Sequence, residues 1–244
     1  MQLGTNVVAI HAEDSGGCRW LLVDGAVFTS PAMPTAVGDW RFDGGADDSS
    51  GWGNHGAVNG ATLTTDRFGN LDSAYAFDGV NDVVTVSDSP SLSSPEATQA
   101  LTISAWVRVD GWYQDWNIFA ILNKYRSRGD DGWEFILGAV PSTSIAFAPA
   151  LYVSAVQSDW TTLDFGEWHQ VVAVYDAGDA RLYVDGALFA EDWSSQALVD
   201  TEGGSVHIGF SQTGPDEYSD GAIDEVLLYD VALTKGQVAA LYHP

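Results

Sequence analysis

From Gly38 to Asp230 the chain is a run of short β-prone segments, each closed by glycine, aspartate or asparagine, and this punctuation restricts its fold more than any other feature. The clearest segment is LTISAWVRV, Leu101 to Val109. Side chains alternate across a strand, so Leu101, Ile103, Ala105, Val107 and Val109 share one face, and Thr102, Ser104, Trp106 and Arg108 share the other. One face is core, and Trp106 is not on it. WHQVVAVYD, Trp168 to Asp176, is apolar on both faces, the pattern of a central strand covered on both sides. AGDA turns it back into RLYVDGALF, and SAYAFDG with DVVTVSD is expected to form a hairpin around Val80 and Asn81. SVHIGF and AIDEVLLYD complete the strand set. Thr234 and Gln237 have the spacing of a capping box, which predicts a helix from about Lys235 to Tyr242. Long helical periodicity is missing elsewhere. The expected fold is therefore all-β, a two-sheet antiparallel sandwich closed by one short C-terminal helix. A length of 244 residues suits one such core.

Charge narrows the partners. Asp and Glu number 34 against 9 Lys and Arg, a formal charge of -25, and such a surface repels nucleic-acid phosphates and anionic membranes. Neither is an expected partner; divalent cations are better ones. Only Lys124 and Lys235 are lysines, a composition that suits a salty habitat and equally a secreted protein kept soluble by its acids. Cys18 is the only cysteine, so an internal disulfide and a thiolate metal site are both excluded. No apolar run approaches the ~20 residues of a membrane-spanning helix.

Three chemistries have candidate residues. Ca²⁺ takes about 6 to 8 oxygen ligands and favours acidic, glycine-rich loops. Asp43, Asp47, Asp48 and Asn54 in the first loop, Asp78, Asn81 and Asp82 in the second, and Asp224 near the last strand supply such oxygens. The same residues are ordinary turn formers, and Asp48 or Asp78 would serve equally by bonding nearby amides. Glycan binding needs exposed rings beside polar groups, because the C–H face of a sugar stacks on an aromatic. GWYQDWN offers Trp112, Tyr113 and Trp116; NKYRSRGDDGW offers Tyr125 and Trp133 with Lys124, Arg126 and Arg128. Planar guanidiniums suit carboxylates or sulfates, so an anionic polysaccharide is among the expected ligands. Trp106 would floor the same groove, and Trp160, Trp193 and Tyr218 are secondary candidates; any of these rings would alternatively cap an end of the sandwich.

Catalysis is the third. Paired carboxylates of a glycosidase sit two or four residues apart on one strand so that both face the cleft. Glu134 stands alone between Trp133 and Phe135, and Asp224 and Glu225 are expected on opposite faces. His169 and His207 fall within strands, His55 in a loop, and no GxSxG, HExxH or phosphate-binding glycine loop occurs. No catalytic residue is predicted.

Five pieces in order, DDSSGWGNHG, FDGVNDVV, LTISAWVRV, GEWHQVVAVYD with LYVDG, and IDEVLLYDVAL, resemble the laminin-G-like, concanavalin A-like jelly-roll domains from about Val37 to Tyr242. The resemblance implies a jelly roll whose first and last strands lie side by side, with a structural calcium at that junction. It also implies a non-catalytic carbohydrate-binding module attached to the catalytic domain of a secreted polysaccharide-degrading enzyme. An adhesion module of the same fold is the alternative, and a glycoside hydrolase or polysaccharide lyase the second. Residues 1–36 are expected to be strands and a linker, TNVVAIHAEDSGGCRWLLVDGAVF and TSPAMPTAVG, either the tail of a preceding β-sandwich or strands of the main one, 37–244. Met1 to Ile10 lacks the layout of a secretory signal, so the chain is expected to be an excised piece.

Overall fold

The computed structural model describes residues 32–111, 118–125, 132–138, 144–148, 156–159, 164–199, 201, 203–211 and 217–243. In chain order, β1 (Gly38–Trp40), β2 (Gly56–Asn59) and β3 (Thr62–Thr64) surround the first loop, and β4 (Ala74–Asp78), β5 (Val83–Val86) and the short helix α1 (Ser94–Thr98) lead into β6 (Ala100–Gly111). β7 (Phe119–Tyr125), β8 (Gly132–Leu137), β9 (Ser144–Ala148) and β10 (Val156–Asp159) follow. Then come β11 (Trp168–Asp176), β12 (Asp179–Val184), β13 (Ala187–Trp193) and β14 (Ser205–Ile208). β15 (Phe210–Ser211), β16 (Glu217–Tyr218), β17 (Asp220–Tyr229) and α2 (Lys235–Leu241) complete the molecule.

Two antiparallel sheets form the sandwich. One has eight strands, ordered β13-β12-β11-β6-β17-β4-β3 with β1 also on β17; the other has seven, ordered β10-β9-β8-β7-β14-β5-β2. The inward rows of both fill the space between. Leu101, Ile103, Ala105 and Val107 of β6 and Val171, Ala173 and Tyr175 of β11 meet Val84, Trp133, Phe135, Phe147 and Ile208 from the facing sheet. A second apolar cluster joins Val172, Val174, Tyr183 and Tyr229 to Leu233 and Val238, so α2 covers the outer face of the eight-stranded sheet. This is why β11 is apolar on both sides. The capping box forms as expected: Thr234 Oγ1 accepts from the Gln237 amide at 3.3 Å, and Gln237 Oε1 accepts from the Thr234 amide at 2.8 Å.

The expected hairpin around Val80 and Asn81 does not exist. β4 pairs with β17 and β3, whereas β5 pairs with β14 and β2. The turn carries the chain from one sheet to the other, because Phe77 and Val84 both enter the core from opposite layers. β1 does lie beside β17, with Gly38 opposite Leu228 and Trp40 opposite Val226.

Candidate functional site

The outer face of the seven-stranded sheet, away from α2, carries a row of polar residues. Register sets a row straight across five strands: Thr85 opposite His207, His207 opposite Asn123, Asn123 opposite Glu134, and Glu134 opposite Ala148. All five alternate with core residues, Val84 and Val86, Val206 and Ile208, Leu122, Trp133 and Phe135, and Phe147. One residue further on β7, Lys124 turns inward; two further, Tyr125 returns to the outer face.

Tyr125 joins the row to a network. Its hydroxyl donates to Glu134 Oε2 at 2.7 Å, and Ser211 Oγ donates to the same oxygen at 3.3 Å. Ser211 comes from the β15–β16 hairpin, which is anchored to β7 where Asn123 Nδ2 donates to the Phe210 carbonyl and Ser219 Oγ donates to the Ala120 carbonyl at 2.8 Å. Phe210 stacks on Tyr218 at 4.7 Å and meets His207 edge-on at 5.6 Å. Gly132 makes room for this arrangement: a Cβ there would fall 2.1 Å from the Tyr125 ring. Glu134 and Glu217 are both buried, and His207 and Tyr218 are half-buried at the margin.

Burial sets the protonation of these groups. It pushes the Glu134 carboxyl above its ordinary range, against the hydrogen bonds from Tyr125 and Ser211. It raises the Tyr125 phenol well above its usual value, with Glu134 and Glu217 adding to the effect. His207 is pushed down to about 4, so its ring is neutral near pH 7. Two buried hydrogen-bonding atoms in the row, Asn123 Oδ1 and His207 Nδ1, have no partner. Asn123, Glu134, Ser211 and Phe210 are buried where the β15–β16 hairpin packs on the sheet, and His207 and Tyr218 carry a polar and an aromatic group to its half-buried margin, a pairing suited to a sugar ring and its hydroxyls.

Sequence reasoning found only part of this. Tyr125 lies on the face, but its ring is buried and acts through its hydroxyl. Trp133 is a correction: β8 alternation turns it into the core, fully buried, with Nε1 donating to Glu96 at 3.1 Å. Lys124 is buried beside it, bonded to Ser93 and Glu96. Trp112, Tyr113, Trp116, Arg126, Arg128 and Trp160 lie outside the described residues. Trp106 faces outward from the eight-stranded sheet but is buried there, stacked on Tyr242 at 5.8 Å. Trp193 is exposed on the edge strand β13, far along the other sheet. His207, Asn123, Ser211 and Glu217 were missed, and Glu134 was read as solitary. A charged residue between Trp133 and Phe135 in an alternating strand was the available signal.

The calcium candidates are spread over the first loop, the turn after β4 and a pocket beside β17. Asp48 Oδ1 accepts from the Asp39 and Ser50 amides, at 3.0 and 2.8 Å, and Oδ2 from the Asn54 amide and the Ser50 hydroxyl, at 2.9 and 2.7 Å. Burial raises its pKa, but these bonds outweigh it and leave the carboxyl below its ordinary value. Asn54 spends its amide on Val37, Ser89 and Ser91. Asp78 and Asp82 bond turn amides at Val80 and Asp78. Asp43 and Asp224 do meet, lining one pocket of about 350 Å³ with Asp39, Arg41 and Glu225. There a β-bulge with φ 46° at Glu225 brings Asp224 and Glu225 to one cation, correcting the expected opposite faces. That cation is Arg67, 3.2 Å from Glu225 and 3.6 Å from Asp224, clasped between the rings of Phe68 and Trp106 at 4.1 Å each. Among the described residues no three His, Cys, Asp or Glu side chains group as a metal site.

Comparison with known proteins agrees with the fold. Domain 4 of an extracellular GH43 arabinanase from Geobacillus stearothermophilus, in complex with arabinotriose, is similar with a TM-score of 0.65 and 18% identity, over 86% of this chain and 98% of that one. The binding domain of botulinum neurotoxin serotype G is similar with a TM-score of 0.60 and 17% identity, over 85% of this chain and 50% of that one. A botulinum neurotoxin type C structure described as interacting with two ganglioside molecules matches at 0.62 and 10% identity, over 85% and 50%. This chain thus spans about half of the toxin domains and nearly all of the arabinanase domain. No curated protein matches the sequence. A family model matches residues 78–239, and the chain belongs to the concanavalin A-like lectin/glucanase superfamily.

Proposed function

We propose that this domain is a non-catalytic carbohydrate-binding module of a larger, secreted polysaccharide-degrading enzyme. It takes a glycan on the outer face of its seven-stranded sheet. The observation that carries this reading is the polar row Thr85–His207–Asn123–Glu134, tied by Tyr125 and Ser211 to the Phe210–Tyr218 pair of the hairpin packed on it, with His207 and Tyr218 at the half-buried margin. In support, the arabinanase domain is a part of a polysaccharide-degrading enzyme and its structure holds arabinotriose. Binding would raise the effective concentration of the attached catalyst on its substrate, since a tethered second encounter is intramolecular. A receptor-binding role is the second reading, favoured by the likeness to toxin binding domains.

The test is sedimentation of the protein with insoluble polysaccharides, alongside assays for new reducing ends and unsaturated uronates. The proposal expects co-sedimentation with at least one polysaccharide and no product. Product that scales with the protein would establish an enzyme instead, and binding to cell-surface glycoconjugates alone would favour the receptor-binding reading.

A further inference from the structure

The seven-stranded sheet is open on one side of His207 and closed on the other. Toward β7 and β8 the β15–β16 hairpin lies on the sheet, tied down by Asn123 and Ser219, and Asn123, Tyr125 and Glu134 are buried there. In the opposite direction the sheet continues through β5 to β2. Val84 and Val86 point into the core, so strand alternation turns Val83 and Thr85 outward, and both are half-buried. Register sets Thr85 opposite His207 on one side and opposite Ala57 on the other, with Asn59 opposite Val83. Ala57 and Asn59 are exposed.

These residues make a strip with a wall. The hairpin stands above the sheet, and its Phe210 meets His207 edge-on at 5.6 Å while stacking on Tyr218, so an aromatic step borders the strip along β14. Adjacent strands are about 4.8 Å apart, which makes the strip from β14 to β2 about 10 Å wide, room for more than one sugar ring. It is also firmly built. β2 lies tight on β5, where a Cβ at Gly56 would fall 2.5 Å from Val84 Cγ1, and a preformed surface loses little freedom on binding. Thr85 offers a hydroxyl beside a methyl group, Asn59 an amide that both donates and accepts, and Val83 and Ala57 apolar contact. That mixture matches a sugar ring, which pairs apolar C–H faces with hydroxyls at its rim.

We infer that the glycan runs from the His207–Tyr218 margin across β5 to β2, with Thr85 and Asn59 as hydrogen-bonding contacts and Ala57 beneath a further sugar ring. This rests on the glycan-binding reading above and adds the direction of the bound chain, across the strands and away from the hairpin. The site therefore takes several consecutive sugars.

The experiment uses the intact chain. Arabinan, xylan, β-glucan, alginate and polygalacturonate are screened by affinity electrophoresis, and the mono- to hexasaccharides of the one that binds are titrated by calorimetry. The trisaccharide should bind at least ten-fold more tightly than the monosaccharide. Thr85→Val keeps the shape and removes the hydroxyl, and should weaken trisaccharide binding about three- to ten-fold, the scale of one hydrogen bond. Ala57→Gln sets a longer side chain on the exposed edge and should weaken the trisaccharide at least five-fold while leaving the monosaccharide unchanged. Trp193→Ala, on the other sheet, should alter neither. Trisaccharide affinity unchanged in folded Thr85→Val and Ala57→Gln, with His207→Ala still weakening it, overturns the inference and leaves the glycan-binding reading standing. Failure of every probe to bind overturns both.

Discussion

Trp133 and Glu134 are adjacent in sequence and lie on opposite sides of a sheet, one in the core and one on the proposed ligand face. Composition alone makes the tryptophan the better sugar ligand; a strand's period of two reverses the choice. Such alternation was legible in Leu101 to Val109, where the polar and apolar rows differ plainly. It was hidden at Tyr125 and Glu134, whose strand and hydrogen-bond partners lie 7 to 80 residues away and are set by register, which leaves no local trace. Two buried groups make a pH prediction at this scale. Burial, reinforced by Glu225 and only partly countered by Arg67, raises Asp224 from 3.8 to about 8, so the fold favours the protonated acid. Its contribution is complete below pH 3.8 and is lost as pH rises toward 8. His207, lowered from 6.5 to about 4, favours the neutral ring; its contribution is complete above pH 6.5 and is lost as pH falls toward 4. The two slopes oppose each other between pH 4 and 6.5, and only Asp224 acts between 6.5 and 8. The unfolding free energy from denaturant titration should fall across that upper window, by at most about 1.4 kcal/mol per pH unit. Asp224→Asn should abolish the fall; an identical fall in the variant would contradict the assignment.

At the scale of elements, local signals read well and crossings read poorly. The capping box of α2 and the β11–β12 turn are short-range, and both form where expected. The segment around Val80 and Asn81 has the same turn chemistry as a hairpin, yet its strands enter different sheets, and nothing local separates the two outcomes. The bulges in β7 and β17 are likewise set by packing. The first loop is the instructive case. Its aspartate and asparagine suggested calcium, whereas Asp48 holds the loop by accepting four hydrogen bonds from Asp39, Ser50 and Asn54. Asp48→Ala should therefore destabilise the protein by about 2 kcal/mol, the scale of lost hydrogen bonds to a charged group. The loss should be the same in millimolar Ca²⁺ and in chelator, measured by thermal unfolding. A loss present only with calcium would make Asp48 a metal ligand after all.

For the whole molecule, the question is which face meets a ligand. The eight-stranded sheet carries α2, Tyr242 over Trp106 and the Arg67 clasp on its outer face, beside the pocket of Asp43 and Asp224. The seven-stranded sheet leaves a polar row and an aromatic pair on its outer side. Fold class was legible from the sequence because strand alternation and turn residues repeat along the chain. The ligand face was not, because it exists only once β5, β14, β7 and β8 are laid side by side. The most direct measurement is calorimetric titration of one bound glycan into three folded variants. His207→Ala and Tyr218→Ala alter the margin of the seven-stranded face, and Trp193→Ala removes the ring that is 69% exposed on the other sheet's edge. The account predicts at least a ten-fold loss of affinity in the first two and no change in the third; a loss confined to Trp193→Ala would contradict it.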